Sequence, residues 1–278
     1  MKNIELIKNK KYKESSVFIP ENLLREARRQ KLIKNCNVPK ICVLDPDGDI
    51  VNYLIKERRT SLNKCWACYH TKLYDFKIKD IEFGIIGCAV GGAFAVLLAE
   101  QLFASGCELL ISITSAGVIY SPPKETHYIL IKKALRDEGT SYHYLPPEFD
   151  SKINPEILKE LVPLFKEKKL HLKNGDSWTT DAPYRETPSA IKYAKRGKII
   201  AVEMEAASLY AFAKAKNKYV VCFAHLTNTM AQNEGEFEKG FENGSLDSLN
   251  VIYYSARILN NSILNRNLTN RDDIKNEN

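Results

Sequence analysis

The sequence lacks an uncharged apolar run long enough to cross a membrane. Its longest uncharged stretch, FGIIGCAVGGAFAVLLA (residues 83–99), is shorter than the ~20 residues that a span needs, and Gly91 and Gly92 divide it. The first residues, MKNIELIKNKKYK, contain no apolar segment of the kind that a signal peptide carries. We therefore expect a cytoplasmic protein that has no membrane partner.

The sequence also lacks a complete metal-binding motif. The segment CWAC (residues 65–68) has His70 nearby, but no second ligand pair follows at a similar short spacing. Seven cysteines in a long chain without a signal sequence predict reduced thiols. Cys88, Cys107 and Cys222 lie in apolar segments and are typical of small core residues. We expect neither a metal nor an organic cofactor.

No RNA-binding signature, internal repeat or low-complexity block is present. The formal net charge of +7 is spread along the chain, with local basic runs at residues 8–13 and 25–31. Such runs are typical of a solvated face, and the alternative is an acidic partner such as nucleic acid. We expect no nucleic-acid partner.

What the sequence contains is an alternation of strand and helix patterns. The 278 residues are 44% hydrophobic, which is enough for one large core. The alternation predicts an α/β domain whose largely parallel sheet is covered on both faces. The predicted strands are residues 41–44, 82–90, 108–117, 127–135, 169–175, 198–202 and 219–227, and the predicted helices are residues 93–106, 154–165, 206–215 and 245–264.

Four polar stretches follow predicted strands, at the sheet edge where open α/β sheets bind ligands. They are residues 45–49, 114–117, 203–205 and 226–228. In the third, Glu203 and Glu205 flank Met204 at the start of an apolar helix. Acidic residues suit the positive end of a helix dipole. The alternative is that one carboxylate binds a ligand that carries hydroxyl groups.

The segment AVEMEAASLYAFA (residues 201–213) resembles the ribose-binding signature of the nucleoside phosphorylase superfamily, which includes uridine phosphorylase and hexameric purine nucleoside phosphorylase. Four further segments are similar to segments of this family, and they occur along the chain in the family's order. They are residues 107–117, 134–149, 175–184 and 220–228. The similarity runs from about residue 41 to about residue 264. It implies a three-layer αβα phosphorylase/hydrolase-like fold around a mixed, largely parallel sheet. We expect an N-terminal extension at 1–40, the phosphorylase-like domain at 41–265 and a polar tail at 266–278.

The resemblance also implies roles for individual residues. Glu205 would accept hydrogen bonds from the two vicinal ribose hydroxyls, Met204 would pack under the sugar, and Glu203 would lie close by. Thr114 and Ser115 would donate hydrogen bonds to phosphate or sugar oxygens.

A second group of residues would lie near the base. It consists of Tyr184, Arg185, Thr227 and Asn228. Pro183 stands where the family has an aromatic residue that stacks on the base. Trp178 is a substitute for that aromatic residue or, alternatively, a core residue.

The phosphate site departs from the family pattern. The family has a glycine-aspartate-proline turn followed by an arginine, whereas this chain reads LDPDGDIVNYL (residues 44–54). Ser112 stands at the position where the family has its second phosphate-binding arginine. Lys64 and His70 are the candidates for a third, which a neighbouring subunit supplies in the family. Three carboxylates in the turn would oppose an anion by ~1–4 kcal/mol per close pair.

An acidic turn favours hydrolysis, in which water is the nucleophile, because Asp47 or Asp49 could act as the general base that activates the water. The alternative interpretation of DPDGD is a plain turn, since Asp, Pro and Gly are common turn residues.

The resemblance therefore implies cleavage of a nucleoside N-glycosidic bond to base and ribose 1-phosphate by a pentosyltransferase, with inorganic phosphate as co-substrate. A hydrolytic nucleosidase and a non-catalytic nucleoside sensor are the alternatives. The family further implies a homo-oligomer, either a dimer or a trimer of dimers.

Overall fold

The computed structural model describes residues 9–122, 126–229, 234 and 237–264 of the chain. The tail predicted at 266–278 and the first eight residues of the N-terminal extension lie outside this part. The helices are α1 (Pro20–Lys31), α2 (Asp49–Lys56), α3 (Gly92–Ala104), α4 (Ser141–Tyr144), α5 (Pro155–Leu161), α6 (Pro188–Arg196), α7 (Ala206–Lys216) and α8 (Ser245–Leu259).

The described strands form one mixed sheet. They are β1 (Ile41–Asp45), β2 (Thr60–Leu62), β3 (Tyr74–Ile78), β4 (Ile81–Gly87), β5 (Leu109–Val118), β6 (Tyr128–Asp137), β7 (Ser151–Lys152), β8 (Leu172–Thr180), β9 (Ala201–Glu203) and β10 (Tyr219–Asn228). Their order is β10-β6-β8-β9-β5-β1-β4-β3-β2, with β7 beside β6 and a further β10–β5 pairing. Strands β1, β4, β5 and β10 pair in parallel, and so do β6, β8 and β9.

The parallel strands β1 and β5 are continuous apolar runs because helices cover both of their faces. Every residue of β1 is buried, as are the first six residues of β5. The predicted strands are all present, but their limits shift, most of all in three of them: β4 ends at Gly87 rather than 90, β8 begins at Leu172 rather than 169 and continues to Thr180, and β9 spans only residues 201–203. Before β8, Leu170 lies in a 3-10 helix, and before β9, Ile199 and Ile200 lie in irregular backbone.

The helices pack in two groups, one on each face of the sheet. Helix α7 packs against α3, α4 and strands β6 to β8, and α1 packs on α3. Helix α8 packs against α2 and α5 on the other side. Local sequence fixes the ends of α5 as predicted, because the Asn154 side chain accepts a hydrogen bond from the Glu156 N–H and the α-helix ends before Pro163.

The cysteines correct one expectation. Cys36 and Cys65 form a disulfide bond, so the expectation of reduced thiols is wrong for these two residues. Cys65 of the CWAC segment is therefore bonded to Cys36, whereas Cys68 of the same segment is a free, buried thiol. The local sequence gave no sign of this bond, because Cys36 lies 29 residues before its partner. Cys88 is exposed rather than part of the core.

Within the described residues, no helix is both long enough and apolar enough to cross a membrane. The 83–99 segment instead forms β4, a glycine turn and the buried helix α3, as its pattern predicts. Among the described His, Cys, Asp and Glu residues, no group of three or more is arranged to hold a metal ion.

Candidate active site

A cavity of about 360 Å³ opens at the C-terminal ends of β1, β5, β9 and β10. This is the edge at which open α/β sheets bind ligands, because neighbouring strands there lead into loops and helix N-termini. The lining combines polar and apolar residues, namely Pro46, Asp47, Val90, Thr114, Ser115, Ala116, Gly117, Pro183, Tyr184, Glu186, Val202, Glu203, Met204, Glu205, Asn228 and Phe237. All four polar stretches singled out in the sequence contribute to it.

Glu203 is buried and stabilises the start of α7. One carboxylate oxygen accepts hydrogen bonds from the hydroxyls of Ser177, at 2.9 Å, and Thr179, at 2.5 Å. The other accepts the backbone N–H groups of Glu205 and Ala206, both at 2.7 Å. These bonds satisfy two donors at the helix N-terminus that have no partner within the helix. Glu203 is therefore the carboxylate that caps the helix, and its hydrogen-bonding capacity is largely used within the protein.

Glu205 has a different environment although it lies only two residues later. It is 2% exposed, and one oxygen accepts the backbone N–H of Gly91 at 2.7 Å. The other oxygen, Oε2, is buried and has no hydrogen-bond partner among the described residues. A buried oxygen without a partner is unfavourable by about 1–3 kcal/mol, and by more when it is charged. The Glu205 side chain lines the cavity, so the carboxylate lies beside the space that a ligand would fill.

Burial raises the pKa of Glu205 to about 8, and the nearby charge of Glu203 adds to the shift. Hydroxyl donors from a ligand would favour the carboxylate form. Binding such a ligand is thus coupled to the loss of a proton from Glu205 at neutral pH.

This pKa predicts how stability depends on pH. The pKa of Glu205 in the folded protein lies above its ordinary value of 4.5, so the folded protein binds more protons than the unfolded chain between pH 4.5 and about 8. The free energy of unfolding should therefore fall as the pH rises through this window, by at most about 1.4 kcal/mol per pH unit for one group. In denaturant titrations, Glu205→Gln should flatten the slope between pH 7 and 8.

The matched control is Glu82→Gln, because Glu82 is exposed on the surface. This variant should keep the slope of the parent protein. A Glu205→Gln variant that also keeps the slope would show that Glu205 titrates normally in the folded protein.

Asp45 shapes the turn that follows β1. Its carboxylate accepts the backbone N–H groups of Gly48, at 3.1 Å, and Val51, at 3.0 Å. Burial raises its pKa to about 7, and the charges of Asp47 and Asp49 contribute to the shift. Gly48 has a positive φ of 80°, a conformation that glycine adopts without strain. DPDGD thus forms the turn that its composition predicts, with Asp45 directed inward.

Asp47 points from the same turn into the cavity. Its Oδ2 accepts the backbone N–H of Ser115 and its Oδ1 accepts the Ser115 hydroxyl, both at 2.8 Å. The ammonium group of Lys239 lies 3.3 Å from the same Oδ1 and 2.6 Å from Oδ2 of Asp49. The Ser115 donors, which the resemblance assigned to phosphate or sugar oxygens, therefore bind a carboxylate of the protein itself in this structure.

The remaining lining residues include apolar and exposed groups. Tyr184 is 99% exposed and Phe237 is 51% exposed, so both lie at the rim. Burial raises the pKa of Glu186, which lies beside Tyr184 on the same side of the cavity. Trp178 is buried in a core cluster, and its Nε1 donates to Asp137 at 3.0 Å. Its interpretation as a core residue is thus confirmed.

Most of the predicted site residues meet in this cavity. Those that line it are Asp47, Thr114, Ser115, Tyr184, Glu203, Met204, Glu205 and Asn228. Two others do not: Arg185 is exposed outside the lining, and Thr227 is buried behind Asn228. The two residues lie at an irregularity of β10, where the Asn228 side chain donates a hydrogen bond to the Thr227 hydroxyl at 3.2 Å.

Of the substitutes considered for the phosphate arginines, Ser112 is buried within β5 and does not line the cavity. Lys64 and His70, which a neighbouring copy would supply, are exposed on the surface. Among the described lining residues there is neither a lysine nor an arginine. The cationic group nearest to the acidic turn belongs to Lys239, which sequence reasoning missed.

Three residues of this site were not singled out in the sequence: Glu186, Phe237 and Lys239. Glu186 follows the predicted base-site segment directly, and its position was a usable signal. Phe237 and Lys239 lie beyond β10, and Lys239 is separated from Asp49 by 190 residues. No local pattern connects such distant positions.

Comparison with known proteins supplies independent observations. The model of a family described as the phosphorylase superfamily matches residues 40–252. The uridine phosphorylase of Thermococcus kodakarensis is 23% identical over 211 residues, covering 67% of this chain and 76% of that protein. The guanosine phosphorylase of Halorubrum lacusprofundi is 23% identical over 145 residues, and the match spans 52% of this chain but only 60% of that protein.

A solved structure has the same fold. The crystal structure of uridine phosphorylase from Vibrio fischeri ES114 superposes with a TM-score of 0.65 at 17% identity, covering 83% of this chain and 96% of that one. At this identity the likeness concerns the fold alone. The predicted three-layer α/β fold is confirmed.

Proposed function

The chain belongs to the phosphorylase superfamily, and from this premise we propose that it cleaves the N-glycosidic bond of a nucleoside with inorganic phosphate. The products are the base and ribose 1-phosphate. The names of the relatives, a uridine phosphorylase and a guanosine phosphorylase, support this reaction class. They differ in the base, so the proposal names a nucleoside without choosing between pyrimidine and purine.

The observation that carries the proposal is the buried, unpartnered Oε2 of Glu205 at the cavity. Two vicinal ribose hydroxyls would supply the donors that this carboxylate lacks among the described residues. Gly91 already holds the other oxygen, so the carboxylate is oriented before a ligand binds. Met204 also lines the cavity and offers an apolar surface beneath a sugar.

The same carboxylate suits the chemistry of bond cleavage. In the proposed reaction a phosphate oxygen attacks the anomeric carbon, the bond from that carbon to the base nitrogen breaks, and its electron pair leaves with the base, which then takes up a proton. Positive charge grows on the sugar in the transition state. An anion at the hydroxyls binds that state more tightly than the substrate, which is the condition for catalysis.

The proposed contacts to base and phosphate come from the rest of the lining. Asn228, Glu186 and Tyr184 would contact the base, whereas Arg185 is no longer assigned this role because it lies outside the cavity. Thr114 and the Ser115 N–H and hydroxyl would donate to phosphate. No metal or organic cofactor takes part in the proposal.

Hydrolysis is the second candidate, and one observation favours it. The Asp47 carboxylate occupies both Ser115 donors, and the described lining contains no arginine or lysine. In this variant Asp47 would accept a proton from a water molecule that attacks the anomeric carbon. The products would then be the base and free ribose.

A panel of purine and pyrimidine nucleosides, incubated with and without inorganic phosphate, tests the function. Phosphorolysis predicts release of base with ribose 1-phosphate, and only when phosphate is present. Free ribose at the same rate without phosphate would contradict phosphorolysis and support hydrolysis. Tight nucleoside binding without any release of base would contradict both and support a sensor.

The assembly is a further proposal. In the proposed homo-oligomer, a dimer or a trimer of dimers, neighbouring copies would complete each other's cavities. Tyr184 and Phe237 at the rim are consistent with such a neighbour, because large exposed side chains beside a site often mark an interface.

A further inference from the structure

The environment of Lys239 is unusual for a surface lysine. Its side chain is only 16% exposed, and its ammonium group contacts carboxylates of both Asp47 and Asp49. The Asn243 side chain donates to the second oxygen of Asp49 at 3.0 Å, which fixes the carboxylate that anchors the lysine. The positive charge is therefore held at a defined place beside Ser115.

The Asp47 carboxylate is bound as an external anion would be. Its two oxygens receive a backbone N–H, a hydroxyl and an ammonium group, at 2.8, 2.8 and 3.3 Å. Backbone N–H groups, hydroxyls and lysine are common ligands of phosphate oxygens. The same donors could bind a tetrahedral anion if the Asp47 carboxylate moved away.

We propose that Ser115 and Lys239 form the anion subsite of this enzyme, with Lys239 as its cation, and that Asp47 is an internal occupant which incoming phosphate must displace. The inference rests on the proposed phosphorolysis for its biological role, but the subsite itself is defined by the contacts. It assigns a function to a lysine that lies within the residues matched by the family model but outside the five short segments that carry the resemblance.

The local charges explain why the occupant matters. With Asp47 in place, two carboxylates surround one ammonium group, so the subsite has a net negative charge. A phosphate ion would meet repulsion of ~1–4 kcal/mol per close pair at this partly buried position. Without Asp47, the charges of Lys239 and Asp49 balance and the Ser115 donors are available.

Direct binding of inorganic phosphate tests the proposal. The variants are Asp47→Ala, Asp47→Ala combined with Lys239→Gln, and the matched control Asp80→Ala. Asp80 is exposed in the turn before β4, at the end of that strand remote from the cavity. Calorimetry and the phosphate-dependent shift of Tm, at constant ionic strength, measure affinity without any nucleoside.

We expect Asp47→Ala to bind phosphate at least about tenfold more tightly than the parent protein, because it removes at least one close repulsive pair. Adding Lys239→Gln should reverse this gain, and Asp80→Ala should match the parent protein. Asp47→Asn keeps the shape of the side chain and should tighten binding in the same direction, which covers the case in which the alanine variant is too unstable to measure.

Two results would overturn the inference. One is phosphate affinity that is unchanged in both Asp47 variants; the other is a gain in Asp47→Ala that persists when Lys239 is also replaced. Turnover of nucleosides is scored separately on the same variants. Tighter phosphate binding without any base release would support the anion subsite and contradict the proposed function. Base release with unaltered phosphate binding would support the proposed function and contradict the anion subsite.

Discussion

Glu205→Gln is expected to lower kcat/KM for nucleoside cleavage by at least about a hundredfold, the lower end of what one preorganised electrostatic contact contributes. Glutamine keeps the size of the side chain and its carbonyl oxygen can still accept the Gly91 N–H. It lacks the negative charge that stabilises the electron-poor sugar, and its amide would face the ribose hydroxyls with donors. Release of base under saturating phosphate measures the effect.

Glu203→Gln is the matched control. It is the same substitution two residues away, at a carboxylate that stabilises the start of α7. Its carboxylate receives four hydrogen bonds from the protein, so we expect a loss of stability of about 1–3 kcal/mol. Glu205→Gln should instead keep Tm at or above that of the parent protein at pH 8. An active Glu205→Gln enzyme within a few-fold of the parent rate would remove the basis of the proposed mechanism.

Gly92→Ala is expected to lower the free energy of unfolding by about 3 kcal/mol or more, at the upper end of the range for overpacking. A Cβ atom at this position would lie 2.1 Å from the Ser208 hydroxyl oxygen and 2.8 Å from its Cβ. Ser208 cannot turn away without losing its hydrogen bond to Glu138. The helices α3 and α7 begin side by side here, so they must separate. Denaturant unfolding measures the loss.

A double variant distinguishes this clash from a general intolerance of change. Ser208→Gly removes both clashing atoms, so Gly92→Ala with Ser208→Gly should be more stable than the sum of the single changes by about 1–2 kcal/mol. Gly197→Ala is the matched control, because its new Cβ would lie no closer than 3.4 Å to another atom and its φ of −75° suits alanine. Additive effects of the two changes would show that contact with Ser208 does not cause the loss.

Local sequence was sufficient for the framework of the fold. Continuous apolar runs predicted the buried strands, and Gly91 and Gly92 predicted the break between β4 and α3. Asn154 and Pro155 marked the start of α5 because capping depends on neighbouring residues only. The limits of β8 and β9 were less accurate, since apolar residues in short turns have the same composition as strand ends.

The residues selected from the sequence share one cavity where they follow strands directly. Ser115 and Glu205 are positioned by strands of one sheet, so the pattern of strands brings them to one edge. Arg185 lies in a short 3-10 helix and does not line the cavity, because in such a turn a difference of one residue decides which way a side chain faces. Lys239 and the bond between Cys36 and Cys65 depend on contacts between distant parts of the chain.

The sequence by itself determined that this chain forms an α/β domain with carboxylates at the C-terminal edge of its sheet, because periodicity and turn composition act over a few residues. Only the tertiary structure decided which carboxylate does what. Glu203 and Glu205 look equivalent in the sequence, yet one is enclosed by donors from β8 and the start of α7, whereas the other keeps a buried oxygen without a partner among the described residues. Donors are supplied by segments far apart in the chain, and so the difference arises only when they pack together.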